Sequence, residues 1–240
     1  MSYQNLSAFY DVLTDDQPYH NWLYIVQHFT SDLAVHRILD IGCGTGTLTC
    51  QLTSITPDVW GMDLSGEMIQ LAKHKAQNVT WIQGDMTDFN AETTFDVITI
   101  FCDSLNYITS EEDIMATFNH VYHHLNNKGV FMFDVHTIHK IQTQFCNQLY
   151  MDDREDLTLI WQTTPGELPF SVWHDLTFFS KNTSGTYDRL DESQFQRTLE
   201  KAQYETMLEI IGFKNIQTFY DFDTQNQNKD SDRLFFVATK

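Results

Sequence analysis

The sequence predicts an α/β protein in which helices flank a mostly parallel sheet, with an antiparallel segment inserted late in the chain. Three observations support this prediction. Residues 38–48 form an apolar strand, a glycine-rich turn and the start of a helix, residues 95–101 form a nearly continuous apolar run, and period-two alternation begins at Leu157. A strand covered on both faces is apolar throughout, whereas a half-exposed strand alternates, so the sequence predicts two kinds of sheet.

Size and charge limit the classes of function. The chain has 240 residues, of which 42% are hydrophobic and 14% aromatic, which suits one domain with an elaboration. Its 33 acidic and 14 basic residues give a formal net charge of −19. Nucleic acids attract basic surfaces, so this balance disfavours a DNA or RNA substrate for the chain acting alone.

The sequence also lacks the usual signals of export and membrane insertion. The first residues show neither the cationic segment nor the apolar core of a signal peptide, and no apolar run approaches membrane-spanning length. The cysteines form no CxxC pair and indicate no disulfide framework; they are Cys43, Cys50, Cys102 and Cys146. We therefore expect a cytoplasmic protein that does not associate with membranes.

The first element along the chain is an amphipathic helix. Its apolar residues recur at i, i+3, i+4 and i+7, the spacing that places them on one helical face; they are Trp22, Ile25, Val26 and Phe29. We expect this helix to dock on the core ahead of the first strand.

The first strand ends at Asp40 and Ile41 and continues into glycines at positions 42, 44 and 46. Glycine permits positive φ and lets a ligand approach the main chain, and the helix expected from Thr45 to Thr47 would direct its free amides to the same place. A dinucleotide fingerprint, GxGxxG, requires glycine where this chain has Thr47. The turn therefore indicates a nucleoside-bearing cofactor while departing from the dinucleotide pattern.

The second strand, residues 59–63, ends in the carboxylate of Asp63. Asp63 follows the glycine turn by about the interval at which an acid reaches a ribose in βαβ units, and a carboxylate can accept from two vicinal hydroxyls. A charge at the start of the next helix, beside an N-cap at Ser65, is the alternative interpretation. That helix is expected to turn Met68 inward.

Polar residues follow the next two strands as well. Residues 79–83 continue into Gly84, Asp85 and Met86, for which a turn carboxylate and a core methionine are alternatives to ligand contacts. Residues 95–101 are apolar until their carboxyl end, where open α/β sheets bind ligands. The polar residues just beyond that end are Asp103, Asn106 and Tyr107.

A crossover helix and a fifth strand come next. Ser110 with Asp113 three residues later forms a capping signature, and Gly129 supplies an expected helix stop before the strand at residues 130–135. His136 lies just beyond this strand. His120, His123 and His124 share the helix, but without HExxH or a carboxylate or cysteine partner we expect no metal site.

The pattern changes to alternation after the fifth strand. Segments near 157–163, 170–180 and 186–198 alternate polar with apolar residues and are separated by turn residues at 165–166 and 182–185. They predict an antiparallel insertion. The chain then provides a helix that ends at Gly212, two strands near 213–222 and 234–239, and a polar connection at 223–232 that we expect to be mobile.

Four segments, in order, resemble class I S-adenosylmethionine (SAM) dependent methyltransferases of the small-molecule type, including the bacterial YqeM-like, sugar-amine and glycine N-methyltransferase members. The resemblance covers roughly residues 35–140 and includes acidic-x-GxGxG at 40–46. It implies a Rossmann-like, seven-stranded, mostly parallel sheet of order 3-2-1-4-5-7-6. It also implies a SAM-binding domain formed by residues 1–148 and 199–240, with residues 149–198 as an antiparallel β cap over the substrate.

The resemblance implies SAM as cofactor and S-adenosylhomocysteine as product. In this family the glycine turn accommodates the methionine moiety, the preceding acid faces its ammonium group, later acids bind ribose and adenine, and an N-terminal segment covers the cofactor. For Tyr10, core packing is the alternative. The implied cofactor-binding residues are Tyr10, Asp40, Gly42, Cys43, Gly44, Gly46, Asp63, Leu64, Met68, Asp85, Met86 and Phe101.

The expected reaction is methyl transfer (EC 2.1.1.-) to nitrogen or oxygen of a small molecule by a monomer or homodimer. The protein mainly supplies orientation and a dry site, with a base where the acceptor must lose a proton, and His136 could be that base or could satisfy backbone groups. A catalytically inactive SAM-binding protein and an NAD-dependent oxidoreductase are the alternatives. The catalytic candidates are Asp103, Asn106, Tyr107 and His136, with Trp161, Trp173, His174 and Arg197 as further substrate contacts.

Overall fold

The computed structural model describes residues 11–240, so the candidate Tyr10 lies outside the described residues. The described strands form two sheets. In chain order they are β1 (Arg37–Ile41), β2 (Asp58–Asp63), β3 (Thr80–Gln83), β4 (Phe95–Ile100), β5 (Leu125–His136), β6 (Leu149–Asp153), β7 (Leu157–Pro165), β8 (Ser171–Lys181), β9 (Tyr187–Arg197), β10 (Lys214–Tyr220) and β11 (Arg233–Thr239).

The main sheet has seven strands in the order β3-β2-β1-β4-β5-β11-β10. Counted within this sheet alone, this is 3-2-1-4-5-7-6, so the predicted order is confirmed. The pairs from β3 to β5 are parallel, whereas β11 runs antiparallel to both β5 and β10. The carboxyl ends of β1, β2, β4 and β5 therefore meet at one edge of the sheet.

Helices cover both faces of this sheet. They are α1 (Tyr19–Thr30), α2 (Thr47–Leu52), α3 (Gly66–Lys75), α4 (Glu111–His124), α5 (Ile138–Thr143) and α6 (Lys201–Ile211), with a short 3-10 turn at Ser104–Tyr107. The apolar stripe expected before the first strand lies on α1. Ser65 and Ser110 accept from the backbone amides of Met68 and Asp113, as N-cap residues do.

Neighbouring residues of the central strands point to opposite faces, and each face buries an apolar layer. On one face Phe133 stacks on Phe236 with ring centroids 4.6 Å apart, close to α4 and α6. On the other, Phe235 stacks on Phe219 at 5.0 Å within the layer that contains Trp22 of α1. Strands buried on both sides need apolar residues at every position, which explains the unbroken apolar runs in the sequence.

The second sheet is antiparallel, in the order β6-β7-β8-β9, and lies over the carboxyl edge of the main sheet. One partly buried and one buried hydrogen bond fix it there. Asn106 Nδ2 donates to the backbone oxygen of Arg197 over 2.8 Å, and Thr198 Oγ1 donates to the backbone oxygen of His136 over 2.7 Å. Strand β6 has mostly exposed residues and no regular alternation, so its pattern gave no separate prediction.

The prediction that α4 ends at Gly129 is wrong, because α4 ends at His124 and Gly129 lies inside β5. The physical reason is a cap from the far end of the chain. Lys240 Nζ donates to the backbone oxygens of Tyr122 and Leu125 over 2.6 and 2.8 Å. Tyr122 lies in the last turn of α4 and Leu125 is its C-cap residue, and carbonyls at a helix end lack intrahelical donors.

The connection at 223–232 is also better anchored than its polar composition indicated. Asn226 accepts from the amide of Tyr220 over 3.1 Å, and the backbone oxygen of Ser231 accepts from Thr137 Oγ1 over 2.6 Å. This segment therefore packs back onto the start of α5. Within residues 11–240, no helix is long and apolar enough to cross a membrane.

We expect Gly46→Ala to lower the free energy of unfolding by about 1–3 kcal/mol more than Gly185→Ala does. Both glycines have nearly the same positive φ, +80° and +81°, so placing alanine in left-handed backbone costs both variants about the same free energy. A Cβ at Gly46 would lie 2.3 Å from Cη2 of Trp81, whereas a Cβ at Gly185 meets no heavy atom within 4 Å. Urea unfolding of both variants measures the difference, and equal losses would contradict the expected clash with Trp81.

Candidate functional site

A cavity of about 420 Å³ lies between the carboxyl edge of the main sheet and the antiparallel sheet. The turns that follow β1, β2, β3, β4 and β5 form one side of it, and β7, β8 and β9 form the other. The residues that matter below are Gly42, Gly44, Asp63, Leu64, Met68, Asp85, Met86, Asp103, Tyr107, His136, Lys140, Phe145, Trp161, His174, Gln194, Gln196 and Arg233.

The glycine turn after β1 is held by the end of β2. The amides of Gly42 and Cys43 donate to the backbone oxygen of Met62 over 2.7 and 3.0 Å. Gly42 has a φ of +69°, and a Cβ there would lie 2.6 Å from Ser104. The absence of a side chain therefore lets the turn after β4 approach, and Ser104 Oγ donates to the oxygen of Gly42 over 3.1 Å.

Asp63 joins this turn to the start of α3. Its two carboxylate oxygens accept from the amides of Gly44 and Ser65 over 2.8 and 2.9 Å. Burial raises the pKa of the Asp63 carboxyl, and the two amide hydrogen bonds oppose that shift. The carboxylate stays on the cavity wall, where it can also accept from a ligand.

The wall near the glycine turn is acidic and apolar. Asp63 and Asp85 line it together with the apolar side chains of Leu64, Met68 and Met86. The nearby Lys75 is neutralised on the outer side of the turn, since its Nζ lies 2.7 Å from Asp11 Oδ1 and also donates to two threonine hydroxyls. Such a wall fits a cationic ligand with hydroxyl donors and a flat apolar ring, and it does not fit a pyrophosphate.

Four predicted cofactor contacts lie away from the cavity wall. Asp40 lies beneath the turn, where its oxygens accept from Thr49 Oγ1 over 2.6 Å and from Thr99 Oγ1 over 2.7 Å. Burial raises the pKa of Asp40 to about 6. The other three are also internal: Gly46 faces Trp81, the Cys43 sulfur lies near Gly61, and Phe101 packs on Phe235. Asp40 and Gly46 therefore shape the turn from behind.

Asp103 and His136 form the centre of the polar half of the cavity. His136 Nε2 lies 3.3 Å from Asp103 Oδ2, and Arg233 Nη2 lies 3.1 Å from the other oxygen. Burial alone would raise the pKa of Asp103, but His136 and Arg233 hold it well below its usual range. Asp103 is therefore a carboxylate at neutral pH, placed to orient the imidazole.

His136 has one ring nitrogen without a partner. The residue is 5% exposed, and no described residue forms a hydrogen bond with Nδ1. Because Nε2 faces the carboxylate, we assign the proton to Nε2 and the lone pair to Nδ1. Burial lowers the pKa of His136, and the attraction of Asp103 only partly opposes this. The imidazole is therefore neutral at neutral pH and has a free basic nitrogen.

A hydrogen-bonded relay links this pair to the antiparallel sheet. Trp161 Nε1 donates to His174 Nδ1 over 3.0 Å, so the ring proton of His174 lies on Nε2, which donates to Gln196 Oε1 over 3.1 Å. Gln196 Nε2 then donates to Asp103 Oδ2 over 3.2 Å. Burial lowers the pKa of His174 to about 4, which keeps the relay in this one orientation.

The remaining catalytic candidates have different positions. Asn106 is fully buried and accepts from the amide of His136 over 2.9 Å, so it supports the histidine from behind. Tyr107 lines the cavity, and its hydroxyl donates to Gln194 Oε1 over 2.8 Å. Trp173 and Arg197 lie outside the wall: Trp173 donates to Glu167, and Arg197 donates to the backbone oxygen of Thr109 over 2.8 Å.

Sequence reasoning missed several residues of the wall. The important ones are Lys140, Phe145, Gln194, Gln196 and Arg233. Gln194 and Gln196 carried a local signal, because two residues separated by one position share a strand face. Arg233 carried none, since only the antiparallel pairing of β11 with β5 places it opposite His136.

The histidines of α4 bind backbone groups. His120 Nδ1 lies 2.9 Å from the oxygen of Phe89, and His124 Nε2 accepts from the amide of Ala91 over 3.1 Å. Across the part of the chain that the structure describes, no group of three histidine, cysteine or acidic residues is arranged to hold a metal ion.

Known proteins resemble this chain over its whole length. A family model described as a methyltransferase domain matches residues 38–129. Two proteins named putative methyltransferases, one from Geobacillus sp. (strain WCH70) and YqeM from Bacillus subtilis (strain 168), are each 37% identical to the chain; both matches span 100% of it and cover 100% and 98% of their own lengths. The crystal structure of an S-adenosylmethionine-dependent methyltransferase from Clostridium acetobutylicum ATCC 824 has a TM-score of 0.87 and 25% identity, and the match covers 99% of this chain and 98% of that one.

The buried His174 gives a testable pH dependence of stability. Its pKa falls from 6.5 to about 4 on folding, so the stability it confers is complete above about pH 6.5 and is lost as the pH falls toward 4. Relative to His174→Gln, which keeps a donor and an acceptor, the wild-type free energy of unfolding should fall by about 3 kcal/mol between pH 7 and pH 4. Urea unfolding at both pH values measures this. Asp40 titrates in both proteins, so its contribution cancels in the comparison. Parallel pH curves for the two proteins would contradict the lowered pKa of His174.

Proposed function

The chain belongs to the same methyltransferase family as the relatives that match its whole length, and on that premise we propose that it methylates nitrogen or oxygen of a small molecule. The cofactor is S-adenosylmethionine, which fits the acidic and apolar half of the cavity. When bound, it supplies an activated methyl group on a sulfonium leaving group. The observation that carries the proposed reaction is the buried Nδ1 of His136, which has no partner among the described residues and belongs to a residue of the same cavity wall.

Several wall residues are suited to hold the cofactor. The Asp63 carboxylate can accept from the two ribose hydroxyls, and Asp85 can accept from the adenine amino group. Leu64, Met68 and Met86 offer apolar surface to the ring. The left-handed backbone at Gly42 and Gly44 lets the ligand approach the main chain closely.

The polar half is suited to remove a proton from the acceptor. An amine or hydroxyl that attacks a methyl group becomes more acidic as the new bond forms, and the free Nδ1 of His136 can receive its proton. Asp103 fixes the imidazole and stabilises the imidazolium that results. Arg233 and Gln196 hold Asp103 in place through contacts of 3.1 and 3.2 Å. A hydroxyl and a primary or secondary amine both lose a proton during methylation, so this base suits oxygen and nitrogen acceptors of these kinds.

The surroundings favour a small acceptor. The antiparallel sheet covers the polar half, and a cavity of about 420 Å³ has room for a cofactor and a compact molecule rather than a polymer segment. The formal net charge of −19 opposes a nucleic acid. The base beside the cofactor half also distinguishes this proposal from a SAM-binding protein without transfer activity.

We expect Asp63→Ala to weaken SAM binding by about 2–3 kcal/mol, or about 30- to 150-fold, through lost charge-assisted hydrogen bonds. Asp58→Ala is the matched control on the same strand, because Asp58 lies at the other end of β2 and pairs with Arg37 over 2.6 Å. Calorimetric titration measures both variants with SAM, S-adenosylhomocysteine and NAD. Wild-type binding of NAD without SAM would refute the cofactor, and unchanged affinity in folded Asp63→Ala would refute the ribose contact.

We expect His136→Gln to lower kcat by about 10²- to 10⁴-fold while SAM affinity stays within about twofold, because the substitution removes a base and leaves the cofactor wall intact. Transfer of labelled methyl from SAM to a panel of small amines and alcohols measures this. His139→Gln is the matched control, because His139 lies one residue before Lys140 on α5 and outside the cavity wall. An unchanged rate in His136→Gln would exclude the base, and labelling of a partner protein alone would exclude a small acceptor.

The pH dependence of the rate gives an independent check of the pairing of His136 with Asp103. The wild-type rate should rise with pH through a midpoint below the ordinary histidine pKa of about 6.5, because burial lowers the pKa of His136. The Asp103 carboxylate raises that pKa, so Asp103→Asn should move the midpoint to still lower pH while it lowers the plateau. A midpoint that moves upward in Asp103→Asn would contradict the pairing.

A further inference from the structure

Lys140 is a cation in the cavity wall that pairs with no carboxylate among residues 11–240. It lies on α5, four residues after His136, and its backbone amide donates to Thr137 Oγ1 over 3.0 Å. The other basic side chain of the polar half, Arg233, is paired with both Asp103 and Asp134. Among residues 11–240, no carboxylate lies within 4 Å of Lys140 Nζ and no residue accepts a hydrogen bond from it.

The surroundings of this ammonium disfavour its charge. Burial and Arg233 both lower the pKa of Lys140, and Asp103, Asp232 and Asp134 oppose this only partly. Lys140 is partly buried, and the three donors of an ammonium need acceptors from water or from a ligand. An anion at Nζ would offset the cost of burial and the repulsion from Arg233 together.

The phenyl ring of Phe145 connects this ammonium with the proposed base. Lys140 Nζ lies 5.2 Å from the ring centroid, and the His136 imidazole lies 5.3 Å from the same centroid, at an interplanar angle of 75°. Trp161 and His174 complete the group, with centroids 5.5 and 4.9 Å from Phe145. A small molecule against this ring can contact the base and the ammonium at once.

Charge divides the cavity into two halves. The cofactor half presents Asp63 and Asp85, whereas the half around Phe145 presents Lys140 and Arg233 together with one carboxylate, Asp103, which Arg233 contacts at 3.1 Å. In a protein with a formal net charge of −19, an unpaired cation at this point attracts an anion that the rest of the wall repels.

We propose that Lys140 binds an anionic oxygen group of the methyl acceptor, a carboxylate or a phosphate, while the atom to be methylated faces Nδ1 of His136. This inference rests on the proposed function, because it assigns the substrate class to the same cavity. The acceptor is then a small acid that carries an amine or a hydroxyl. Lys140 determines specificity, and His136 acts on the proton.

The test uses the full chain saturated with S-adenosylhomocysteine, with acetate, inorganic phosphate and neutral acetamide as probes. Imidazole ¹⁵N resonances of His136 and His174, assigned with His136→Gln and His174→Gln, report on the wall beside Phe145. Lys140→Met removes the charge and Lys140→Arg keeps it. Lys214→Met is the matched control, because Lys214 is exposed at the opposite edge of the main sheet. SAM affinity of every variant is measured by calorimetry.

We expect at least one of the two anions to shift the imidazole signals saturably in wild type, Lys140→Arg and Lys214→Met, and its binding to weaken about tenfold or more in Lys140→Met. Acetamide should cause no saturable shift. The proposal is overturned if neither anion binds the wild type, if Lys140→Met binds them equally, or if acetamide binds as well as acetate. A loss of SAM affinity in Lys140→Met would also overturn it, because the ammonium would then serve the cofactor's own carboxylate.

The result of the anion-binding test is independent of the result of the methyl-transfer assay. Anion binding is measured without turnover, so it can succeed where methyl transfer to every acceptor fails. Conversely, transfer that occurs only to acceptors without an acidic group would leave the methyltransferase proposal in place and exclude the role of Lys140.

Discussion

The Asp134 carboxylate, fully buried at the carboxyl end of β5, joins the parts on which the cavity depends. One of its oxygens accepts from Trp22 Nε1 of α1 over 3.0 Å and from the amide of Cys102 over 2.9 Å. The other accepts from Arg233 and from the amide of Asp103. Without this carboxylate the guanidinium of Arg233 would be buried without its main partner, a costly arrangement.

That junction also explains an unusual backbone. Cys102 and Asp103 both have a φ of 54°, in the left-handed region that costs non-glycine residues about 1 kcal/mol or more each. The amide hydrogen bonds to Asp134 hold both residues there. The resulting turn directs the Asp103 side chain toward His136, so a buried ionic cluster places the pair that the proposed chemistry needs.

The cavity wall combines two chemical environments. Its cofactor half offers carboxylates and thioethers, while its polar half holds two histidines that burial keeps neutral. The antiparallel sheet is joined to the polar half, because the relay from Trp161 through His174 and Gln196 ends at Asp103. An acceptor that contacts that sheet would then be coupled to the orientation of the proposed base.

Local patterns determined much of this protein. Strand burial on both faces requires unbroken apolar runs, and a turn that meets Ser104 requires glycine at position 42, so the parallel sheet, its edge and the nucleoside site could be inferred from short segments. The same reasoning identified Asp63, Asp85 and His136 as polar ends of strands. It did not extend to features that depend on distant neighbours: two threonine hydroxyls hold Asp40 beneath the turn, Lys240 caps α4, which ends before Gly129, and antiparallel pairing brings Arg233 to His136. Only the tertiary structure decided which cations are paired, which imidazole nitrogen is free and that no carboxylate among residues 11–240 pairs with Lys140, because these properties arise from contacts between segments far apart in the chain.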